Sequence, residues 1–160
     1  MEQIADYTLR PVQEEDETLL LAIYSSTRAD ELALVPWDAA QKQAFLQMQF
    51  SAQQTHYRAY FPQAAHEMIM AEGQPVGRLY IDRRETEIRI LDVTLLPETR
   101  GRGIGTLVIQ ELMKEAAQAN KSISIYVESF NRSLGLFQRL GFVKTEESGV
   151  SWLMERRASS

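Results

Sequence analysis

Leu91-Asp92-Val93-Thr94-Leu95-Leu96-Pro97-Glu98-Thr99-Arg100-Gly101-Arg102-Gly103-Ile104-Gly105 is the stretch that decides how this chain folds. Its first half is rich in Leu, Val and Thr, a composition that suits a half-buried strand. Pro97 ends that strand, because proline has no N–H to give to a ladder. Glycines follow at positions 101, 103 and 105, and Ile104, Leu107, Val108, Leu112 and Ala116 then recur along one side of a helix. A strand therefore enters a glycine-rich turn, and the turn opens a helix. Glycine lets backbone N–H groups converge on one point with no Cβ in the way. The first helical turn adds donors with no partner inside the helix, together with the positive end of the dipole. Arg100 and Arg102 add permanent charge and forked donors. A pyrophosphate is the ligand that uses all three features; the alternative is a turn that does no more than start the helix.

Two known phosphate-binding patterns can be tested on the same residues. A Walker A loop ends in Gly-Lys-Ser/Thr, and this turn has no lysine. The dinucleotide fingerprint G-x-G-x-x-G, counted from Gly101 and Gly103, needs a third glycine where the chain has Thr106. Neither fits.

Outward from the loop, residues 87–96 form the strand before it and residues 122–127, apolar at Ile123, Ile125 and Val127, the strand after its helix. Such a β-α-β unit joins parallel strands by a right-handed crossover. Upstream, residues 67–71 and 76–82 are strand-like and are joined by a hairpin-type turn at Glu72-Gly73-Gln74. Residues 7–12 read as the first strand. Glu14, Glu15 and Asp16 then put negative charge at the N-terminus of a helix whose inner face is Leu20, Ile23, Tyr24 and Thr27. Residues 28–37 read as a loop. Asp38 with Gln41 makes a capping pair for a second helix, which runs towards Tyr60 and stops before Pro62. Downstream, residues 133–140 form a short helix closed by Gly141, and residues 142–145 and 150–156 a final hairpin. The sum is a mixed α/β sheet with helices on both faces.

The chain has 160 residues, enough for one domain with a sizeable core and too few for two ordinary ones. Residues 1–157 read as that domain, and residues 158–160 as a frayed tail. A formal net charge of -5 argues against nucleic acid as the main partner, because phosphate backbones call for a basic face. The absence of cysteine excludes disulfides, thiolate zinc sites and a cysteine nucleophile, and only His56 and His66 are present to build a histidine site, so no metal is expected. The first residues lack a basic start followed by an apolar run, and no stretch approaches the length of a membrane span. The expected location is the cytoplasm, with no membrane partner.

Arg100-x-x-Gly103-x-Gly105 matches (R/Q)-x-x-G-x-(G/A), and in this it resembles the signature of the GNAT superfamily of N-acetyltransferases. The strand ending Leu95-Leu96-Pro97-Glu98 extends the resemblance. So does the run Asn131-Arg132-Ser133-Leu134-Gly135-Leu136-Phe137-Gln138-Arg139-Leu140-Gly141-Phe142, which is similar to the family's second motif, N-x-A-x-x-L-Y-x-x-x-G-F. Together these span roughly the second half of the chain, in the family's order.

The resemblance implies a mostly antiparallel six- to seven-stranded sheet around a central parallel pair. Those two strands splay apart, helped by a bulge in the first, and admit the pantetheine arm of acetyl-CoA. By carry-over, the backbone of Val93, Thr94 and Leu95 contacts pantetheine, and Arg100, Gly101, Arg102, Gly103, Ile104, Gly105 and Thr106 hold the pyrophosphate. Asn131 matches the family's cofactor-contacting asparagine; it also suits a helix cap. Phe137, counted with the cofactor contacts, stands where the family carries a tyrosine that protonates the leaving thiolate. A phenyl ring cannot do so. Homodimers are common among relatives.

For transfer to an amine, the amine must lose a proton, since a lysine-like group has a pKa of about 10.4. The candidate bases are Asp92, a carboxylate in an apolar strand, and Glu128, just past the next strand. Their other readings are a hydrogen-bonded structural acid and a solvated charge. Tyr126, with Ser129 and Ser133, could supply a proton to the thiolate. Asp30, Glu31, Asp38, Glu146 and Glu147 fall where the family builds its acceptor pocket, which would favour cationic amines, small or on a protein, or are simply part of an acidic surface. His56, Tyr57, Tyr60 and Phe61 form either core packing or a pocket wall. Three functions stay open: an amine acetyltransferase, a non-catalytic acyl-CoA-binding module suggested by Phe137, and a different nucleotide-phosphate binder.

Overall fold

The computed structural model describes residues 6–158. Strand β1 (Thr8–Pro11) leads through a single 3-10 turn (Glu14–Asp16) into helix α1 (Glu17–Ser26), the short α2 (Ala29–Ala33) and the long α3 (Ala39–Tyr60). Strands β2 (Ala65–Ala71), β3 (Gln74–Arg83) and β4 (Glu87–Leu95) follow, then α4 (Ile104–Gln118), β5 (Ser122–Glu128), α5 (Leu134–Arg139), β6 (Val143–Ser148) and β7 (Ser151–Arg156). The strands form one 7-stranded sheet in the order β1-β2-β3-β4-β5-β7-β6. Every neighbouring pair is antiparallel except β4 with β5, which is parallel and central.

Local chemistry explains the elements. Asp38 accepts from the Gln41 N–H at 2.8 Å while Gln41 accepts from the Asp38 N–H at 2.9 Å, a closed capping box at the start of α3. Glu72 and Gly73 both take positive φ, 52° and 77°, as a tight hairpin turn requires. On α4 the buried residues Ile104, Val108, Ile109, Leu112 and Ala116 keep helical spacing and press on Ile88, Ile90, Ile123, Ile125 and Val127 of the sheet. Burial of each large aliphatic side chain there contributes about 1.5–3 kcal/mol. The opposite face carries a second core, with Leu20, Ile23 and Tyr24 of α1 and Leu46 and Phe50 of α3 packed over Met68.

Three features differ from the sequence reading. Residues 28–37 are not all loop, because α2 forms within them and buries Leu32 in the second core. Glu128 is not past its strand; it is the last residue of β5, held there by pairing with Ser151 of β7. Asp16 is more than a dipole charge: Arg10 grips both its oxygens at 2.8 Å, and it also accepts the Gln13 N–H. The arginine hydrogen bond holds the Asp16 carboxyl at a pKa of about 2. Of the expected frayed tail, Ser159 and Ser160 lie outside the described residues.

The sheet opens between its two parallel strands. The parallel ladder runs from Glu87↔Ser122 to Ile90↔Ile125 and stops, although β4 continues to Leu95 and β5 to Glu128. Beyond the break β4 stays paired with β3 as far as Gly77↔Leu95, and β5 with β7 as far as Glu128↔Ser151. Each strand keeps its outer neighbour while the two part from each other. A bulge starts the parting: Tyr80 faces Asp92 and Ile81 faces Ile90, so Leu91 is skipped. A bulge bends its strand and increases the local twist.

Candidate active site

The glycine loop stands at the open end of this cleft, between β4 and α4. Gly101 and Gly103 take φ of 77° and 91°, which a side chain would strain. Gly103 is the N-cap of α4 and brings no side chain to cap it. Among the described residues, no backbone or side-chain acceptor receives the N–H groups of residues 101–106. Arg102 Nε is buried and also lacks a partner. The Arg100 guanidinium is pushed below its ordinary pKa, first by burial and then by the neighbouring Arg132. Converging N–H groups, a helix N-terminus and two cations in need of counter-charge suit an anionic diphosphate.

On the α1/α3 side of the cleft, Asp92 is committed to other side chains. Arg78 reaches its Oδ2 with Nε at 2.8 Å and Nη2 at 2.7 Å, and Thr94 Oγ1 donates to its Oδ1 at 2.9 Å. Arg78 also donates to Gln53 of α3 at 2.6 Å. Val93 and Leu95 pack against the α4-side core from the stretch of β4 that has parted from β5. All of residues 91–95 are partly exposed, whereas Ile88 and Ile90 are buried.

Glu128 is placed differently. It lies in the part of β5 that has left β4, its side chain is one-third exposed, and the cation nearest to it is Arg28 at 4.0 Å. Arg28 also bonds Glu31 at 3.0 Å and the Tyr24 hydroxyl at 3.3 Å, which places the α1–α2 corner beside the cleft mouth. Asp30 and Arg132 make a second, exposed link across the mouth at 3.6 Å. Of the acids expected around an acceptor pocket, Glu31 and Asp30 are thus partnered by arginines, Asp38 caps α3 and Glu147 pairs with Lys144.

Tyr126 points out of β5 with 45% exposure, and Arg89 covers its ring at 5.0 Å. Asn131 Oδ1 accepts from both the N–H and the hydroxyl of Ser133, at 2.8 Å each, and so organises the start of α5. This is a turn two residues ahead of the N-cap, Ser133, rather than a cap on α5 itself, and it engages only the oxygen of the amide. Phe137 is 1% exposed, with its ring set edge-on to Phe142 at 5.2 Å.

The structure adds residues that sequence reasoning passed over. Arg78 is one. Its signal was legible in part: one cation inside β3 and one carboxylate inside β4, both in apolar runs, call for each other. For Tyr57, which the sequence places only in core packing or a pocket wall, the structure adds a contact: its hydroxyl donates to the Leu91 carbonyl at 3.0 Å. Arg28 showed no signal, because its role depends on where the α1–α2 corner lands.

A family model described as an acetyltransferase (GNAT) domain matches residues 21–152. Curated protein sequences show no match to the chain. Solved structures do resemble it. The PaiA N-acetyltransferase from Thermoplasma acidophilum, in complex with coenzyme A, superposes with a TM-score of 0.71 at 15% identity, covering 95% of this chain and 99% of that one. An acetyltransferase from Thermus thermophilus gives a TM-score of 0.67 at 17% identity, covering 97% and 99%. Arabidopsis thaliana Naa50, in complex with the bisubstrate analogue CoA-Ac-MVNAL, gives 0.61 at 14% identity, covering 94% and 97%.

Proposed function

Because the chain belongs to the GNAT acetyltransferase family, we propose that it transfers the acetyl group of acetyl-CoA to an amine. The observation that carries this reading is the parting of β4 from β5 beyond Ile90↔Ile125, next to a loop of unpartnered N–H groups. The loop at residues 100–106 would take the pyrophosphate, and the β5-facing backbone of Val93, Thr94 and Leu95, left without a partner strand on that side, the pantetheine amides. Among the solved neighbours, one holds coenzyme A and another a bisubstrate analogue containing CoA, which supports the same class of ligand here.

In this reading the amine nitrogen bonds to the thioester carbonyl carbon, and the carbon–sulfur bond then breaks to release the thiolate. The developing oxyanion needs a donor, and a main-chain N–H on the parted stretch of β4 is the group available. The nitrogen's proton goes to Glu128, directly or through one water. Glu128 suits this better than Asp92, whose oxygens Arg78 and Thr94 already occupy. Tyr126 is assigned as proton source for the thiolate, since Phe137 has no hydroxyl. Glu31 and Glu128 share a single arginine, Arg28, and the net negative charge that remains favours a cationic acceptor at the mouth. The cytoplasm is the setting this reading assumes.

The test is a thiol-release assay with acetyl-CoA over a panel of small amines, amino acids and peptide amines. Release that depends on one amine class supports the reading; no release with any of them counts against catalysis. The enclosed Phe137 favours one rival, an acyl-CoA-binding module without turnover. Calorimetry with CoA, ATP and NAD separates the two from a general nucleotide binder: CoA binding without turnover identifies the module.

A further inference from the structure

Leu91 has no partner in either ladder: β3 skips it, and pairing with β5 ends one residue earlier. A main-chain carbonyl left out of a sheet still needs a donor. Tyr57 supplies it, with its hydroxyl 3.0 Å from the Leu91 oxygen. The tyrosine comes from α3, where Leu46, Phe50 and Gln54 are buried at helical spacing and Tyr57 continues the same stripe one turn on. Its ring is fixed as well. Tyr80 meets it edge-on at 4.9 Å and 76°, Phe61 lies at 6.2 Å, and Tyr80 is in turn stacked on His66 at 4.1 Å and 8°. Burial raises the hydroxyl pKa well above its ordinary value, so it remains a donor at any working pH.

We propose that Tyr57 is a positioning residue for acetyl-CoA: by engaging the Leu91 carbonyl it holds the bulge and keeps β4 from closing on β5 where pantetheine would lie. This rests on the reading of the cleft given above. Without the hydroxyl, the Leu91 carbonyl would turn to the protein donors nearest to hand, which are the β5 N–H groups beyond Ile125. Continuing the register by one step pairs Leu91 with Tyr126 and narrows the entrance. The aromatic cluster at the end of α3 is then neither plain core nor pocket wall. It is a strut between the helix and the bulge.

Tyr57→Phe removes one oxygen and keeps the ring. Tyr60→Phe is the control, on the same helix but 70% exposed. Amide exchange of the free protein and CoA titration by calorimetry are the readouts, followed by kinetics. The expected result for Tyr57→Phe is slower exchange at residues 126–128, a CoA dissociation constant raised about tenfold, and a KM for acetyl-CoA raised likewise with kcat within roughly twofold. Tyr60→Phe should match the parent within roughly twofold in each. Unchanged exchange and CoA affinity in a folded Tyr57→Phe overturn the proposal, as does a fall in kcat at constant KM, the mark of a merely damaged fold. If the parent protein binds no CoA, the reading of the cleft fails and this role fails with it. Slower exchange in Tyr57→Phe would then still show that the strand contact itself was correctly identified.

Discussion

Arg78 Nη2 lies 2.7 Å from Asp92 Oδ2, and the arginine side chain is 2% exposed while the aspartate is 24% exposed. The asymmetry decides what each does. Arg78 cannot exist in the sheet without a counter-charge, whereas Asp92 could find water. Removing one partner of a buried ion pair leaves the other charge uncompensated, at a cost of about 3–5 kcal/mol. Asp92→Asn should therefore lower stability by about 3 kcal/mol in urea titrations, with the partial exposure of the aspartate keeping it near the lower end. Arg78→Met combined with Asp92→Asn should recover more than half of that loss. If Asp92→Asn instead abolishes turnover and leaves the urea midpoint where it was, the carboxylate is the base and not a structural partner.

Gly77 tests the cleft wall from behind. A β-carbon there would sit 2.4 Å from the Thr94 carbonyl oxygen and 2.8 Å from Leu95 Cδ2. The nearest atom belongs to backbone, so β4 must move. That is the stretch assigned to pantetheine. Gly77→Ala should cost about 1–3 kcal/mol of stability and weaken CoA binding beyond what the unfolded fraction accounts for. Calorimetry on the folded variant reads the second effect; CoA affinity equal to the parent's would mean that this part of β4 does not contact the ligand.

The loop allows a paired comparison. Arg100 is partly exposed and makes no ion pair among the described residues, so Arg100→Ala should leave thermal stability almost unchanged and weaken CoA by about tenfold, the worth of one charge-assisted contact. Gly103 has φ of 91°, and Gly103→Val should lose binding and also about 1–3 kcal/mol of stability. Equal losses of stability and affinity in both variants would reduce the loop to a helix start.

What could be read from the sequence followed the range of the interactions. The glycine turn that opens α4, the Asp38–Gln41 box and the Glu72-Gly73 turn are local chemistry, and each appears as expected. The parting of the parallel pair came from family resemblance, because no periodicity marks where a ladder ends. Arg78–Asp92 and Tyr57–Leu91 join residues 14 and 34 positions apart, through registers that a single skipped residue sets. A one-residue change in that skip would turn Asp92 to the other face. Phe137 was visible as a departure from the motif, but its enclosure beside Phe142 follows from how α5 docks on the sheet.

Acid should lower stability in two separable stages, the first set by His66. Burial, followed by the Arg78 charge, lowers the His66 pKa from 6.5 to about 4, with Arg58 acting the same way and Asp92 and Asp16 opposing. Its Nε2 is enclosed without a partner while the ring lies on Tyr80. Between pH 6.5 and about 4 the unfolded chain binds a proton at this residue that the native state refuses. Stability from this source is therefore complete above pH 6.5 and falls as pH drops towards 4, after which it is level. The ring keeps some contact with water, so the loss is roughly 2 kcal/mol, below the full value of the shift. Asp16 acts later. Its pKa is lowered from 3.8 to about 2 by Arg10, so its contribution is present above pH 3.8 and disappears as pH falls towards 2. His66→Phe keeps the stack on Tyr80 and should flatten the upper stage alone, with the lower stage intact. Urea midpoints measured at half-unit steps of pH resolve the two; a His66→Phe profile parallel to the parent's across the upper range would show that another group sets it.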